Sequence, residues 1–88
     1  MTQPRNIVGP IVRELREAKG FTQAMLVARL NLDGWDISRE TLAKIESQVR
    51  WVADFELVQL AKGVDVEPGD VLRRALKRSS KGKSRPGT

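Results

Sequence analysis

Cysteine and histidine are both missing from this chain of 88 residues. Their absence removes disulfides, thiol nucleophiles, zinc sites built on either side chain and imidazole acid–base chemistry. Two carboxylates fall close together, Asp33 and Asp36, but without such partners they make no metal or acid–base site. No enzyme, metal or cofactor is therefore expected. Long apolar runs are also missing: none approaches the roughly 18 to 20 residues that span a bilayer, and the opening MTQPRNIVGP has no apolar centre of the kind a signal peptide needs. The expected location is the cytoplasm, with no membrane partner. Nothing alternates with period two over a useful length and no internal repeat is found, so the fold class read from the chain is all-α.

Hydrophobic residues make up 40% and charged ones 31%, proportions of a folded globular domain and not of a disordered chain. A single small domain of this length sits near the size at which packing alone is marginal, so self-association would help it. The formal net charge of +5 is unevenly spread. Residues 1–72 hold nine Lys or Arg against all eleven Asp and Glu, a net of −2, and residues 73–88 hold the other seven basic residues and no acid, a net of +7. The basic character belongs to the C-terminal end and alone supports only nonspecific attraction to polyanions.

Local signals divide the chain into five helices. Gly9-Pro10 opens the first, with Pro where its missing N–H costs nothing, and Ile11, Leu15 and Ala18 form its stripe before Gly20 closes it. Thr22 is the N-cap of a second helix, TQAMLVARL, with Leu26, Val27 and Leu30 facing inward and Met25 in packing or at the rim. The polar, glycine-broken NLDGWDI is a turn, and Ser38 caps a third helix ending near Ser47. Asp54 caps a fourth, DFELVQLAK, whose core face is either Phe55, Val58 and Ala61 or Leu57, Leu60 and Ala61, with Gly63 or Asp65 at its close. A fifth starts near Glu67-Pro68 and carries Val71, Leu72, Ala75 and Leu76. Residues 1–76 are expected to form the domain, and residues 77–88, rich in Ser, Gly and Lys, a basic disordered tail.

In the third helix, DISRETLAKIES, apolar Ile37, Leu42 and Ile45 occupy one side and Arg39, Glu40 and Lys44 the other. Most charged helix faces only meet water. The stretches L-R-x-x-K-G-F-T-Q-x-x-L (Leu15 to Leu26), I-S-R-x-T-L-x-K-I-E (Ile37 to Glu46) and D-F-E-L-x-x-L-A-K (Asp54 to Lys62), in that order, change the balance. Over roughly residues 8 to 72 the chain resembles the Cro and lambda-repressor-like, or XRE-type, helix-turn-helix family. The resemblance implies a compact five-helix DNA-binding domain with the helix-turn-helix formed by helices 2 and 3.

It also implies roles. Arg39, Glu40, Thr41 and Lys44 match the start and exposed face of the family's reading helix, where Arg or Lys pairs with guanine and Glu accepts from cytosine. Glu40 could equally brace Lys44 at i+4 or repel phosphates. Thr22, Gln23, Ser38 and Arg50 match phosphate-contacting positions, and Arg16 and Glu46 a structural ion pair. Val71, Leu72, Ala75 and Leu76 fall where family members commonly pair subunits.

Three departures accompany the match. The turn NLDGWDIS is about five residues longer than the family's shortest, Val27 stands where many members have Ala, and Gln48 replaces the glycine after helix 3. Trp35 and Trp51 flank helix 3 in the two connectors. Each either covers the edge of the core or, for Trp51, packs near a sugar-phosphate backbone.

The leading expectation is a sequence-specific transcriptional regulator, a homodimer on double-stranded DNA. Its rival is a protein-interaction module, or an antitoxin-like protein with a protein partner, that keeps the fold.

Overall fold

In the computed structural model, which describes residues 3–81, helix α1 (Gly9–Ala18) starts where the Asn6 carboxamide oxygen accepts the Gly9 N–H at 2.7 Å. Pro10 sits in its first turn. Helix α2 (Gln23–Leu32) is capped by Thr22, whose hydroxyl accepts the Met25 N–H at 3.1 Å, and α3 (Arg39–Glu46) by Ser38, whose hydroxyl accepts the Thr41 N–H at 3.1 Å. Helix α4 (Asp54–Gly63) differs from expectation: Ala53, and not Asp54, is its N-cap. Alanine has no acceptor, so Glu56 reaches back instead, its carboxylate accepting the Ala53 N–H at 3.0 Å.

Four helices end in one motif. The amide two residues past each cap bonds back to the carbonyl five residues earlier: Phe21 to Arg16, Trp35 to Leu30, Val49 to Lys44 and Val66 to Ala61, each at 3.0 Å. The motif requires a left-handed residue at its centre. Gly20 (φ 75°) and Gly34 (φ 93°) adopt it without penalty, while Gln48 (φ 69°) and Asp65 (φ 59°) carry a Cβ and cost about 1 kcal/mol or more each. Both non-glycine residues are tied down. The Gln48 amide donates to the Asn6 carbonyl at 2.9 Å, and Asp65 takes Lys19 and Arg29, each at 3.1 Å.

Helix α1 packs on α3 and α5, α2 on α3 and α4, and α4 on α5. The larger core cluster joins Val12, Leu26, Leu30, Leu42, Ile45 and Leu60, and a smaller one joins Val8, Ile11, Ala61, Val71 and Ala75. Leu15, Val52 and Val66 touch both. On α1 the stripe is therefore Val8, Ile11, Val12 and Leu15; Ala18, the last residue of the helix, is exposed. Helix α4 turns Leu57, Leu60 and Ala61 inward and leaves Phe55 and Val58 outside. Val27 is partly buried against the larger cluster, as is Trp35, but Trp51 is 68% exposed.

Helix α5 (Pro68–Lys81) runs past the boundary expected at residue 76, because 77–81 continue the helix; the rest of the expected tail, 82–88, lies outside the described residues. Val71 and Ala75, expected at a subunit interface, are buried inside the domain, since they face Ile11 and Ala61. Among the described residues no helix is long and apolar enough to cross a membrane.

The backbones of α1 and the end of α3 approach closely. A Cβ on Gly9 would run into the Ile45 carbonyl oxygen. Gly9→Ala should therefore lower unfolding stability by about 1 to 3 kcal/mol through overpacking, although alanine ordinarily favours a helix by about 0.5 to 1 kcal/mol. Urea denaturation measures the difference, and a more stable variant would refute the close approach.

Candidate nucleic-acid interface

Helix α3 buries Leu42 and Ile45 and turns its other side outward. Arg39, Glu40 and Lys44 are exposed there. Among the described residues none of the three has an ion-pair or side-chain hydrogen-bond partner, so Glu40 does not brace Lys44. Thr41 is half-buried and partly committed to the helix start, its hydroxyl accepting from the Ser38 hydroxyl at 3.0 Å. The four expected base readers thus form one surface, with Thr41 at its edge.

The charged face is positioned from behind by a buried ion pair. Arg16 and Glu46 are each 7% exposed, with Arg16 Nε donating to Glu46 Oε2 at 2.8 Å and Nη2 to Oε1 at 3.1 Å. Arg16 Nη1 also donates to the Phe21 carbonyl at 2.8 Å. The hydrogen bond to Glu46 holds the guanidinium pKa above its ordinary value, burial opposing it. Gln23 completes the cluster, its amide donating to Glu46 Oε1 at 3.0 Å. One carboxylate therefore ties α1, the start of α2 and the end of α3 together, and no buried side-chain polar atom among the described residues lacks a partner.

At the start of α2, Thr22 takes only the Met25 N–H, so the first amides, those of Gln23 and Ala24, point outward as a helix N-terminus does. Gln23 commits one of its two amide hydrogens to Glu46 and keeps the other. Ser38 stands at the start of α3. Three of the expected phosphate positions, Thr22, Gln23 and Ser38, thus lie at the entrances of α2 and α3.

Arg50 is placed differently. Its Nη1 and Nη2 bind the Glu56 carboxylate at 3.0 and 3.2 Å, and Nη1 also donates to the Trp51 carbonyl at 3.0 Å. That fork serves the α3–α4 connector. The Arg50 hydrogen bonds, helped by the Ala53 N–H, hold the Glu56 carboxyl below its ordinary pKa against the opposing effect of burial.

One residue that the motifs do not reveal organises the same region. Asn6 Nδ2 donates to the Ile45 carbonyl at 3.1 Å and to the Arg50 carbonyl at 2.8 Å, while its oxygen holds the Gly9 N–H. Its only sequence signal is an Asn just ahead of a Gly-Pro helix start, where short polar side chains cap.

The sequence model of the helix-turn-helix family matches residues 12–71. No match was found among curated proteins or among solved structures. The matched span runs from the buried Val12 of α1 to the buried Val71 of α5 and takes in every residue of the α2–α3 surface.

The Arg50–Glu56 link sets a pH dependence of stability. Because the folded carboxyl titrates below the unfolded one, its contribution is complete above the unfolded value, about 4.3, and disappears as pH falls through the lower folded value. Glu56→Gln should cost about 1 to 2 kcal/mol near neutral pH. The gap between variant and wild type should close in acid. Denaturation of both proteins across that range checks it, and a gap that stays constant down to the acid limit contradicts the assignment.

Proposed function

The chain belongs to the XRE-type, Cro and lambda-repressor-like, helix-turn-helix family and is a DNA-binding helix-turn-helix regulator; we propose that it is a sequence-specific transcriptional regulator, reading a palindromic operator as a homodimer through α3. One observation carries the reading: Arg39, Glu40 and Lys44 stand exposed, without a side-chain partner among the described residues, on a short helix whose back is fixed by a buried ion pair. Solvated surface charge needs no such fixation. A base-reading face does, because bidentate contacts to guanine O6 and N7 demand fixed geometry.

In this reading α3 lies in the major groove, Arg39 and Lys44 read base edges, and Glu40 accepts from cytosine. Thr41 borders that face. The outward amides of α2 and the remaining Gln23 hydrogen hold a phosphate, with Thr22 and Ser38 beside them. Residues 77–88 add salt-sensitive, sequence-independent affinity. Subunits meet through the outer face of α5, where Leu72 is 38% and Leu76 59% exposed. Half-sites would be about 34 Å apart.

A protein-partner reading has its own support in the exposed Phe55 (65%), Val58 and Trp51, apolar side chains on and before α4. Salt separates the two, since phosphate neutralisation weakens steeply with salt and an apolar contact does not.

Selection of bound sequences from random duplex DNA tests the proposal, a palindromic consensus being the expected result. Arg39→Ala should then relax base preference and weaken operator binding by about 1 to 3 kcal/mol. Unaltered specificity would remove Arg39 from the reading face. Gln23→Ala, by contrast, should weaken all duplexes alike, and a loss confined to one operator would contradict a phosphate role.

A further inference from the structure

The segment before α1 is strapped to the end of the reading helix. The Arg5 N–H donates to the Gln48 carbonyl at 2.9 Å, the Gln48 side chain returns a bond to the Asn6 carbonyl, and Asn6 reaches the carbonyls of Ile45 and Arg50. Residues 5 and 6 therefore hold a fixed place beside the α3–α4 connector. Arg5 itself is exposed, with its guanidinium carbon 6.0 Å from the centre of the Trp51 ring, at the limit of cation–π reach. Among the described residues it has no acidic partner.

Charge at this end of α3 is distributed in an unexpected way. Arg50, the cation that the sequence offers to a phosphate, is neutralised by Glu56. Arg5 is the cation that the fold brings to the same connector and leaves facing solvent. With α3 read as the DNA-facing helix, its length of about 12 Å is close to the major-groove width of about 12 Å, which brings groups flanking its two ends within reach of phosphates. Ser38 and the start of α2 flank one end, and the strap flanks the other.

We infer that Arg5 is a further DNA-backbone contact, a guanidinium held by the N-terminal strap and the Trp51 ring to receive a phosphate at the C-terminal end of α3. The inference rests on the reading of α3 as the DNA-facing helix. Arginine suits the position, since its planar fork can stack on the indole and still offer two parallel N–H donors to phosphate oxygens. Trp51 gains a role that accounts for its exposure: an apolar platform that keeps the guanidinium extended.

The full-length chain and its Arg5→Gln and Arg5→Lys variants are titrated by fluorescence anisotropy against a selected operator and a scrambled duplex, between about 50 and 200 mM salt. Circular dichroism first confirms the fold, because no side-chain hydrogen bond of Arg5 is lost and its backbone bond to Gln48 remains. Arg5→Gln should weaken both duplexes by a similar factor, about threefold to tenfold at the lower salt, with a slope of log affinity against log salt shallower by about 0.9. Arg5→Lys should restore the slope. Equal affinity and slope for Arg5→Gln and wild type would overturn the inference while leaving DNA binding intact, and so would a loss confined to the operator, which marks a base contact. If the wild type binds neither duplex in a salt-dependent way, the reading of α3 falls and this inference falls with it.

Discussion

The Glu46 carboxylate is the group on which the arrangement of the first three helices depends. It is nearly buried and accepts three hydrogen bonds, two from Arg16 on α1 and one from Gln23 at the start of α2. A buried ion pair of this kind contributes little net stability compared with well-packed apolar residues, since desolvating two charges offsets most of their attraction. Its effect is geometric. Removing one partner leaves an uncompensated charge, so the three elements hold a single relative placement. Apolar contacts among Val12, Leu26, Leu42 and Ile45 supply most of the burial but are tolerant of direction; the charged, directional bonds fix the register in which α3 presents its outer side.

A second constraint comes from the way the helices end. Four of five close through the same left-handed turn, and at two of the four the central residue is not glycine. The strain at Gln48 is offset locally, because its side chain bonds the Asn6 carbonyl and its own carbonyl accepts the Arg5 N–H. What the missing glycine costs in backbone energy, the strap returns in contacts. The price of that substitution is thus linked to the N-terminal segment, and the close approach of Gly9 to Ile45 adds a steric reason for the same juxtaposition. Stability and the placement of the connector after α3 are one problem in this chain.

Local chemistry in the sequence by itself determined the helices, the starts of α2 and α3 and the polarity of α3. Thr22 and Ser38 cap where short hydroxyl side chains before an apolar run must cap, and Gly20 and Gly34 end helices because a left-handed residue costs glycine nothing. The charged face of DISRETLAKIES was equally legible, since helical period alone separates Leu42 and Ile45 from Arg39, Glu40 and Lys44. The matched family span also follows from ordered motifs along the chain.

Tertiary structure decided whatever depends on which groups meet across the chain. Period could not choose between the two faces of α4, because both carry apolar side chains; packing against α2 and α5 chose Leu57, Leu60 and Ala61. On α5, Val71 and Ala75 read the same as Leu72 and Leu76, yet only the first pair faces the smaller cluster. Arg50 looked available until Glu56, drawn back to cap the bare Ala53, took its fork. Asn6 looked like any polar residue before a helix, and while its oxygen takes the nearby Gly9 N–H, its two donated bonds span about 40 residues of sequence to carbonyls that no local pattern can place. Propensity and period act over a few neighbouring residues, whereas a partner for a guanidinium or a carboxamide is set only when distant backbones come within hydrogen-bond distance.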